Sequence, residues 1–243
     1  MKLYHGTAAR HLSDILANGL KPRGKRSGNW RHSVESCPDA VYLTNSYALH
    51  YAYSATKPGE PMVVLEVDTS KLNMWAFAPD EDWLEQVTRK DAALAPIDKP
   101  MKYRTRWYRR RLPQFAQFWR ESLEGLGNCT YHGTIPPSAI TRVATVDMQT
   151  YADLVWVAGM DPTVSTLNYR ICGPKYRNSM RRLFHDMVEL EHDELENYRD
   201  PNPERAAKNA ALVAETWARV QVTYTNPCAE QRVLRQQPHE RGL

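Results

Sequence analysis

The chain has 243 residues, of which 42% are hydrophobic and 25% are charged, and its formal net charge is +4. This length and composition exclude a disordered or low-complexity polypeptide and predict one large domain, or one domain with an appendage. The slight positive charge permits a nucleic-acid partner without requiring one.

The cysteines lie far apart and form no Cys-x-x-Cys pair. They are Cys37, Cys129, Cys172 and Cys228. Neither a zinc site nor a disulfide framework is therefore expected, and a reducing compartment such as the cytoplasm is the simplest interpretation. We also expect no membrane partner, because the N-terminus enters a strand directly and no apolar run is long enough to span a bilayer.

The chain begins with a predicted strand that ends in His5, Gly6 and Thr7. A glycine beside a histidine leaves bare main chain next to an imidazole, and a ligand can approach such a main chain closely. The peptide groups offer a donor and an acceptor, which suit the carboxamide of a flat ligand. The alternative is a strand end closed by an ordinary turn. Residues 8–20 then predict a helix that ends at Gly19.

A basic loop follows over residues 21–31, and Arg23 and Arg26 are among its cations. Such a loop is usually a solvated surface segment. Its functional alternative is a phosphate clamp close to a site, because the guanidinium forks of arginine match phosphate oxygens.

Two strands and two helices are predicted next. Residues 41–44 form a short strand, and Asn45 or Ser46 can cap the tyrosine-rich helix that follows it. Residues 62–68 form the clearest strand of the sequence, because they are rich in apolar and β-branched side chains. After Pro79 the sequence predicts the start of a helix, whose acidic first turn favours the helix dipole.

Basic and aromatic side chains are interleaved in the segment 102–111. Phosphate neutralisation and base stacking use such a mixture, so the segment predicts contact with DNA or RNA. The alternative is a structural helix whose arginines extend along its surface and whose rings join the core. The residues assigned to nucleic-acid binding are Lys102, Arg104, Arg106, Trp107, Arg109 and Arg110.

The sequence changes character after two further predicted strands, over residues 128–137 and 140–147. We place a boundary between a domain over residues 1–158 and a helical extension over residues 159–243.

Within the extension, residues 175–199 and 203–224 predict helices of mixed charge. Glu189 and His192 have the Glu-x-x-His spacing of carboxylate-bridged metal bundles. Such bundles need two copies and the chain has one, so a solvated acidic helix face is predicted and no metal.

Several of these motifs have a familiar order and spacing. They are Leu3-Tyr4-His5-Gly6-Thr7, Gly19-Leu20, Val41-Tyr42-Leu43-Thr44, Ala48, Val63-Val64-Leu65-Glu66-Val67-Asp68 and Ile135-Pro136-Pro137. Together they resemble the ADP-ribosyltransferase superfamily, and its poly(ADP-ribose) polymerase-like and tRNA 2′-phosphotransferase-like branches in particular. The resemblance covers about the first 150 residues. It implies an α+β fold in which a split, mostly antiparallel β-sandwich holds NAD in the cleft between its two sheets.

The resemblance also implies roles for single residues. His5 is expected to hydrogen-bond the ribose hydroxyls of NAD, and the main chain of Gly6 to hold the nicotinamide amide. Tyr42 and Tyr51 are expected to pack on the nicotinamide ring. The other residues expected around NAD are Thr7, Thr44 and Ser46 towards the nicotinamide, and Arg23 and Arg26 at the pyrophosphate. Histidine, backbone amides and aromatic faces can hold the leaving ring and the ribose without a metal.

The third motif departs from the family pattern. Many members carry a glutamate on the strand before the proline turn, where this chain has Tyr131 beside His132. We expect these two side chains to face the acceptor, and we do not expect poly(ADP-ribose) synthesis. The leading hypothesis is an NAD-dependent ADP-ribosyltransferase that modifies a macromolecule, DNA or RNA rather than protein. The alternatives are a non-catalytic nucleic-acid or partner-binding module on the same fold, and an RNA 2′-phosphotransferase.

Overall fold

The structure is a computed structural model that describes residues 1–24, 35–88, 96 and 98–147, and beyond these only single positions and short segments up to residue 225. Three predicted features lie outside the described residues: Arg26, the Glu189–His192 pair, and the whole of the helix predicted over residues 175–199.

Among the described residues, seven strands form one antiparallel sheet. They are β1 (Lys2–Ala8), β2 (Val41–Thr44), β3 (Met62–Asp68), β4 (Phe77–Pro79), β5 (Asn128–Tyr131), β6 (Ile140–Val146) and β7 (Val222–Thr225). Their order is β4-β5-β2-β1-β3-β6-β7. The expectation of a mixed fold around a mostly antiparallel sheet is confirmed, but the described strands form one sheet and not the two sheets of the expected sandwich.

The helices lie between the strands and pack on the sheet. They are α1 (Leu12–Asn18), α2 (Ala48–Ala55), α3 (Glu81–Thr88), α4 (Met101–Arg111) and α5 (Trp119–Gly125). In the described part of the chain, no helix combines the length and apolar character needed to cross a bilayer.

Strand β1 pairs very differently with its two neighbours. It is in register with β3 along its whole length. With β2 it shares one registered pair, in which Tyr4 lies opposite Thr44. The sheet therefore divides between β1 and β2 into a β4-β5-β2 part and a β1-β3-β6-β7 part.

Side chains alternate along each strand, so the sheet has two faces. One face carries the largest apolar cluster, to which Leu3, Leu43 and Leu65 belong and on which α1 and α5 pack. The other face carries Tyr4 and Tyr42, and its apolar clusters include residues of α2, α3 and α4.

Gly6 marks the closest approach of α2 to β1. A Cβ placed on Gly6 would overlap the main-chain oxygen of Ala48 and the main-chain nitrogen of Ala52. A glycine is therefore required at this position by the contact with the helix. On this face of β1, helix α2 therefore occupies the space beside the bare main chain where we predicted a ligand.

The C-terminal part contributes to the sheet and is not helical throughout. The positions described between residues 203 and 218 are helical. Residues 222–225 form β7, which pairs with β6 so that Val222 lies opposite Val146. Valine and tyrosine favour strands, and the edge of β6 offers main-chain groups for pairing. The sheet therefore extends past the boundary that we placed at residue 158.

Candidate functional site

His5 lies where β1 and β2 part. Its Nδ1 is 2.9 Å from the main-chain oxygen of Tyr42, and since a carbonyl oxygen can only accept, Nδ1 carries the proton in this bond. Burial lowers the pKa of His5, so the ring is neutral near pH 7 and Nε2 keeps its lone pair. The ring can thus accept a hydrogen bond from a hydroxyl, as a histidine that holds ribose must.

The phenol of Tyr42 points away from His5. Alternation along β1 and β2 from their registered pair places the two side chains on opposite faces of the sheet. The Tyr42 hydroxyl accepts a hydrogen bond from the N–H of Cys37 at 2.5 Å and donates one to Glu81 Oε2 at 2.6 Å. His5 and Tyr42 therefore meet through the main chain of Tyr42 and not through its ring.

A polar cluster lies at the Tyr42 phenol, and three of its five residues were not among the predicted site residues. It consists of Tyr42, Tyr51, Asp80, Glu81 and Asn128, and we call it the tyrosine–carboxylate cluster. Asn128 Nδ2 donates to the Tyr51 hydroxyl at 2.6 Å. Burial raises the pKa of both tyrosines, and the Asp80 carboxylate raises both further. The charge of Asp80 acts on both phenols, and the residues of the cluster come from β2, α2, β5 and the start of α3.

The two carboxylates reach the cluster because β4 ends at Pro79 and α3 begins directly after it. Asp80 Oδ1 accepts from the N–H of Asp82 at 2.8 Å, which caps the helix. The Asp80 N–H donates to Ser122 Oγ at 3.0 Å, and that hydroxyl donates to the main-chain oxygen of Asn128 at 2.7 Å. These bonds fix the α3 start beside β5. We had interpreted the acidic first turn only as support for the helix dipole.

Burial perturbs the ionisation of both carboxyl groups. Glu81 is 1% exposed and Asp80 is 6% exposed. Burial raises the pKa of Glu81 to about 7, although the Tyr42 hydrogen bond and the Arg109 charge oppose the shift. Burial and the neighbouring acids raise the pKa of Asp80 well above its ordinary value. A carboxyl group that titrates near neutral pH can both give and take a proton there.

Two oxygens of the cluster are buried without a hydrogen-bond partner among the described residues, namely Glu81 Oε1 and Asn128 Oδ1. Native structures leave few buried acceptors unpaired, and each such oxygen calls for a donor. Each of the two oxygens therefore has the capacity for one further hydrogen bond.

Thr44 and Ser46 are engaged in the turn that leads into α2. The Thr44 hydroxyl donates to the main-chain oxygen of Gly127 at 2.7 Å and accepts from the N–H groups of Ser46 and Tyr47 at 2.9 Å. Thr44 thus stabilises the turn before α2. The N-cap of this helix is Tyr47, without a side-chain cap, so the capping role that we predicted for Asn45 or Ser46 is wrong. Ser46 Oγ donates to Asn45 Oδ1 at 2.7 Å. Neither hydroxyl points to the cluster in this arrangement.

Thr7 and Arg23 are the remaining residues predicted around NAD that the structure describes. Thr7 is buried in β1. Arg23 donates to the main-chain oxygen of Ser36 at 2.6 Å and pairs with the Glu35 carboxylate at 3.4 Å. Its guanidinium is therefore held by the protein in this structure.

Tyr131 and His132 do not join the cluster either. Tyr131 is 7% exposed, and its ring packs edge-on against Phe77 with 5.2 Å between the centroids. It belongs to the apolar face, opposite the face that carries the Tyr42 phenol. His132 is exposed just after β5. The predicted acceptor side of the site is thus not assembled from β5.

The residues of α4 that we predicted to bind nucleic acid fall into two groups. Arg104 forms an ion pair of 3.1 Å with Glu85. Arg109 donates to the main-chain oxygens of residues 35–36, and Trp107 is half-buried against the apolar cluster of α3 and α4. These three side chains hold α4 in place, as the structural alternative proposed.

The second group is exposed along the helix and consists of Lys102, Arg106 and Arg110. The three cations border a cavity of about 520 Å³, together with Thr105, Arg109 and Glu35. This surface is compatible with the predicted contact of the segment with DNA or RNA.

In the part of the chain that the structure describes, no group of three or more His, Cys, Asp and Glu side chains is arranged to hold a metal ion. A scan against known protein families and a search of characterised proteins find no match for the chain. Membership of the ADP-ribosyltransferase superfamily accordingly stays a prediction.

Arg104→Met is expected to lower the free energy of unfolding by about 2 kcal/mol, because it leaves the buried carboxylate of Glu85 without its cation. Urea unfolding of the variant beside Arg106→Met measures the difference. Arg106 is exposed, so its replacement should change the stability by less than about 0.5 kcal/mol. Equal effects of the two substitutions would show that the Arg104–Glu85 pair does not stabilise the fold.

Proposed function

We propose that the chain is an NAD-dependent ADP-ribosyltransferase that transfers ADP-ribose to a nucleic acid and releases nicotinamide. The observation that supports this most is the bond from His5 Nδ1 to the main-chain oxygen of Tyr42, at the place where the sheet divides. The resemblance implies two sheets with NAD in the cleft between them. In this chain the histidine strand and the tyrosine strand are neighbours in one sheet and share one registered pair.

The tyrosine–carboxylate cluster has the chemistry to hold the nicotinamide end of NAD. Nicotinamide is a flat ring whose carboxamide carries two N–H donors, and the riboses of NAD carry hydroxyl donors. Glu81 Oε1 and Asn128 Oδ1 are buried acceptors that lack such donors. The phenols of Tyr42 and Tyr51 supply aromatic surface in the same cluster, and aromatic rings pack well on a flat ring.

We assign Glu81 to the reacting carbon. Since the His5 ring and the Tyr42 phenol lie on opposite faces of the sheet, the ribose must lie at the separation of β1 and β2 to reach both His5 and Glu81. Cleavage of the ribose–nicotinamide bond leaves the electron pair on the nicotinamide nitrogen and develops positive charge on C1′ of the ribose. A buried carboxylate stabilises such a charge strongly, because the surroundings have a low dielectric constant. The acceptor then bonds to C1′ and loses a proton, which a carboxylate with a pKa of about 7 can take. Tyr42 is a positioning residue, since its hydroxyl holds Glu81 Oε2.

The test is incubation of the full chain with NAD labelled in the adenine, together with RNA, DNA, a protein lysate or a 2′-phosphorylated oligonucleotide. We expect free nicotinamide and transfer of the label to nucleic acid. Label on protein alone would contradict the proposed acceptor, and removal of the 2′-phosphate would identify the phosphotransferase instead. A folded protein that releases no nicotinamide with any acceptor would contradict the proposal.

A non-catalytic nucleic-acid-binding module is the second candidate. The placement of the His5 ring and the Tyr42 phenol on opposite faces favours it, because a single crevice between the two rings is then not formed. Salt-dependent binding of nucleic acid by a chain that neither binds nor consumes NAD would establish this candidate.

A further inference from the structure

We infer that the outer face of α4 binds the phosphate backbone of single-stranded nucleic acid along a cationic track formed by Lys102, Arg106 and Arg110. These residues are four positions apart, so they lie on one side of the helix, with about 6 Å of rise between successive side chains. All three are exposed and border the same cavity of about 520 Å³.

The other cations of α4 each have a partner in the protein, which for Arg111 is the Trp107 ring. Arg104 is paired with Glu85 and Arg109 with Glu35. Within the described ranges, the three cations of the track have no carboxylate within ion-pair distance. Their charge is therefore available for phosphate groups, and bound counterions would be released when phosphates replace them.

Tyr103 explains why a single strand fits this surface better than a duplex. Its side chain is 52% exposed, and it precedes Arg106 by three positions, so it flanks the cationic track. An aromatic ring beside a basic groove binds the face of an unpaired base. The bases of a duplex are stacked on each other, and their faces are not available to such a ring.

The cationic track lies close to the tyrosine–carboxylate cluster. Arg109 borders the same cavity and donates to the main-chain oxygen of Ser36 at 2.8 Å. The next N–H, that of Cys37, donates to the Tyr42 hydroxyl of the cluster. A strand bound on α4 would therefore lie near the carboxylate assigned to the reacting carbon. The role of this strand as the ADP-ribose acceptor rests on the proposed function, whereas its binding does not require any turnover.

The test measures binding of fluorescent single-stranded oligonucleotides and of matched duplexes by anisotropy over a range of salt concentrations. Three phosphate contacts predict a slope of about −2 for log K against log salt, from about −0.7 for each contact of a single strand. The triple variant K102Q/R106Q/R110Q is expected to lose most of that slope and about 100-fold in affinity at 0.1 M salt. Tyr103→Ala is expected to weaken single-strand binding by about 10-fold and to leave the slope unchanged.

The matched control is K57Q/K71Q/R120Q, which removes the same charge from exposed positions outside the cavity. Equal loss of binding in the control and the triple variant would show that affinity depends on net charge alone, and it would overturn the inference. Preference for the duplex, or an unchanged slope in the triple variant, would overturn it as well. Track-dependent binding without nicotinamide release would support the inference and contradict the proposed function. Nicotinamide release with no track-dependent binding would contradict only the inference.

Discussion

His5→Ala is expected to reduce nicotinamide release by at least about 100-fold, the scale of loss seen when one preorganised hydrogen-bonding group is removed from an active site. The neutral ring accepts through Nε2 because Nδ1 is held by the main-chain oxygen of Tyr42. Alanine removes that acceptor and also frees the Tyr42 carbonyl at the division of the sheet. Single-turnover release of nicotinamide at saturating NAD measures the chemical step apart from binding.

Two further variants separate the role of His5 in the site from its role in the fold. His5→Gln keeps an N–H that can donate to the Tyr42 carbonyl, so it is expected to fold even if alanine does not. His11→Ala removes a half-buried histidine from the turn after β1 and should keep wild-type turnover. A folded His5→Gln variant that releases nicotinamide at the wild-type rate would contradict the assignment of His5.

Local sequence patterns predicted most strands, because the residues of these strands themselves favour extended structure. Met62–Asp68 is apolar and β-branched, and the structure places β3 over those residues. Val222–Thr225 carries a weaker pattern next to a helical segment, and its strand depends on the edge of β6, which lies far away in sequence. Secondary structure that is set by a distant partner cannot be predicted from local propensity.

The candidate site shows the same limit more clearly. The neighbouring positions of His5 and Tyr42 follow from adjacent strands, but the face that each side chain takes depends on the register of β1 with β2. Glu81 enters the site because β4 pairs with β5. The acidic residues directly after Pro79 were the signal that could have indicated Glu81, because binding and catalytic residues often lie on the segments that connect regular elements.

The free energy of unfolding is expected to fall as the pH rises from about 5 to about 8, and Glu81→Gln is expected to remove much of that loss. Burial raises the pKa of Glu81 from 4.5 in its ordinary range to about 7. Between these two values the unfolded chain has lost the proton while the folded chain keeps it, so stability decreases with rising pH. Above the folded pKa the loss is complete, and the shift corresponds to about 3 kcal/mol.

Urea unfolding at about pH 5 and about pH 8 measures the effect as the difference between the wild type and Glu81→Gln. Glutamine keeps an oxygen for the Tyr42 hydroxyl and carries no charge, so the variant should be the more stable protein at the higher pH. His5 titrates in the opposite direction, but it is common to both proteins and cancels in the comparison. Glu121→Gln is the control, because Glu121 is exposed and its replacement should leave the pH dependence unchanged.

The same variant separates a catalytic carboxylate from a structural one. A buried acid that lowers stability at neutral pH is retained where its charge serves a reaction, and its removal then stabilises the fold while activity is lost. We therefore expect Glu81→Gln to be more stable than the wild type at about pH 8 and to release nicotinamide far more slowly. A variant that is less stable at both pH values, with an unchanged pH dependence, would show that Glu81 serves only to hold Tyr42. Full turnover of the variant would show that Glu81 is not the reacting carboxylate and would assign that role to Asp80, the other buried acid of the cluster.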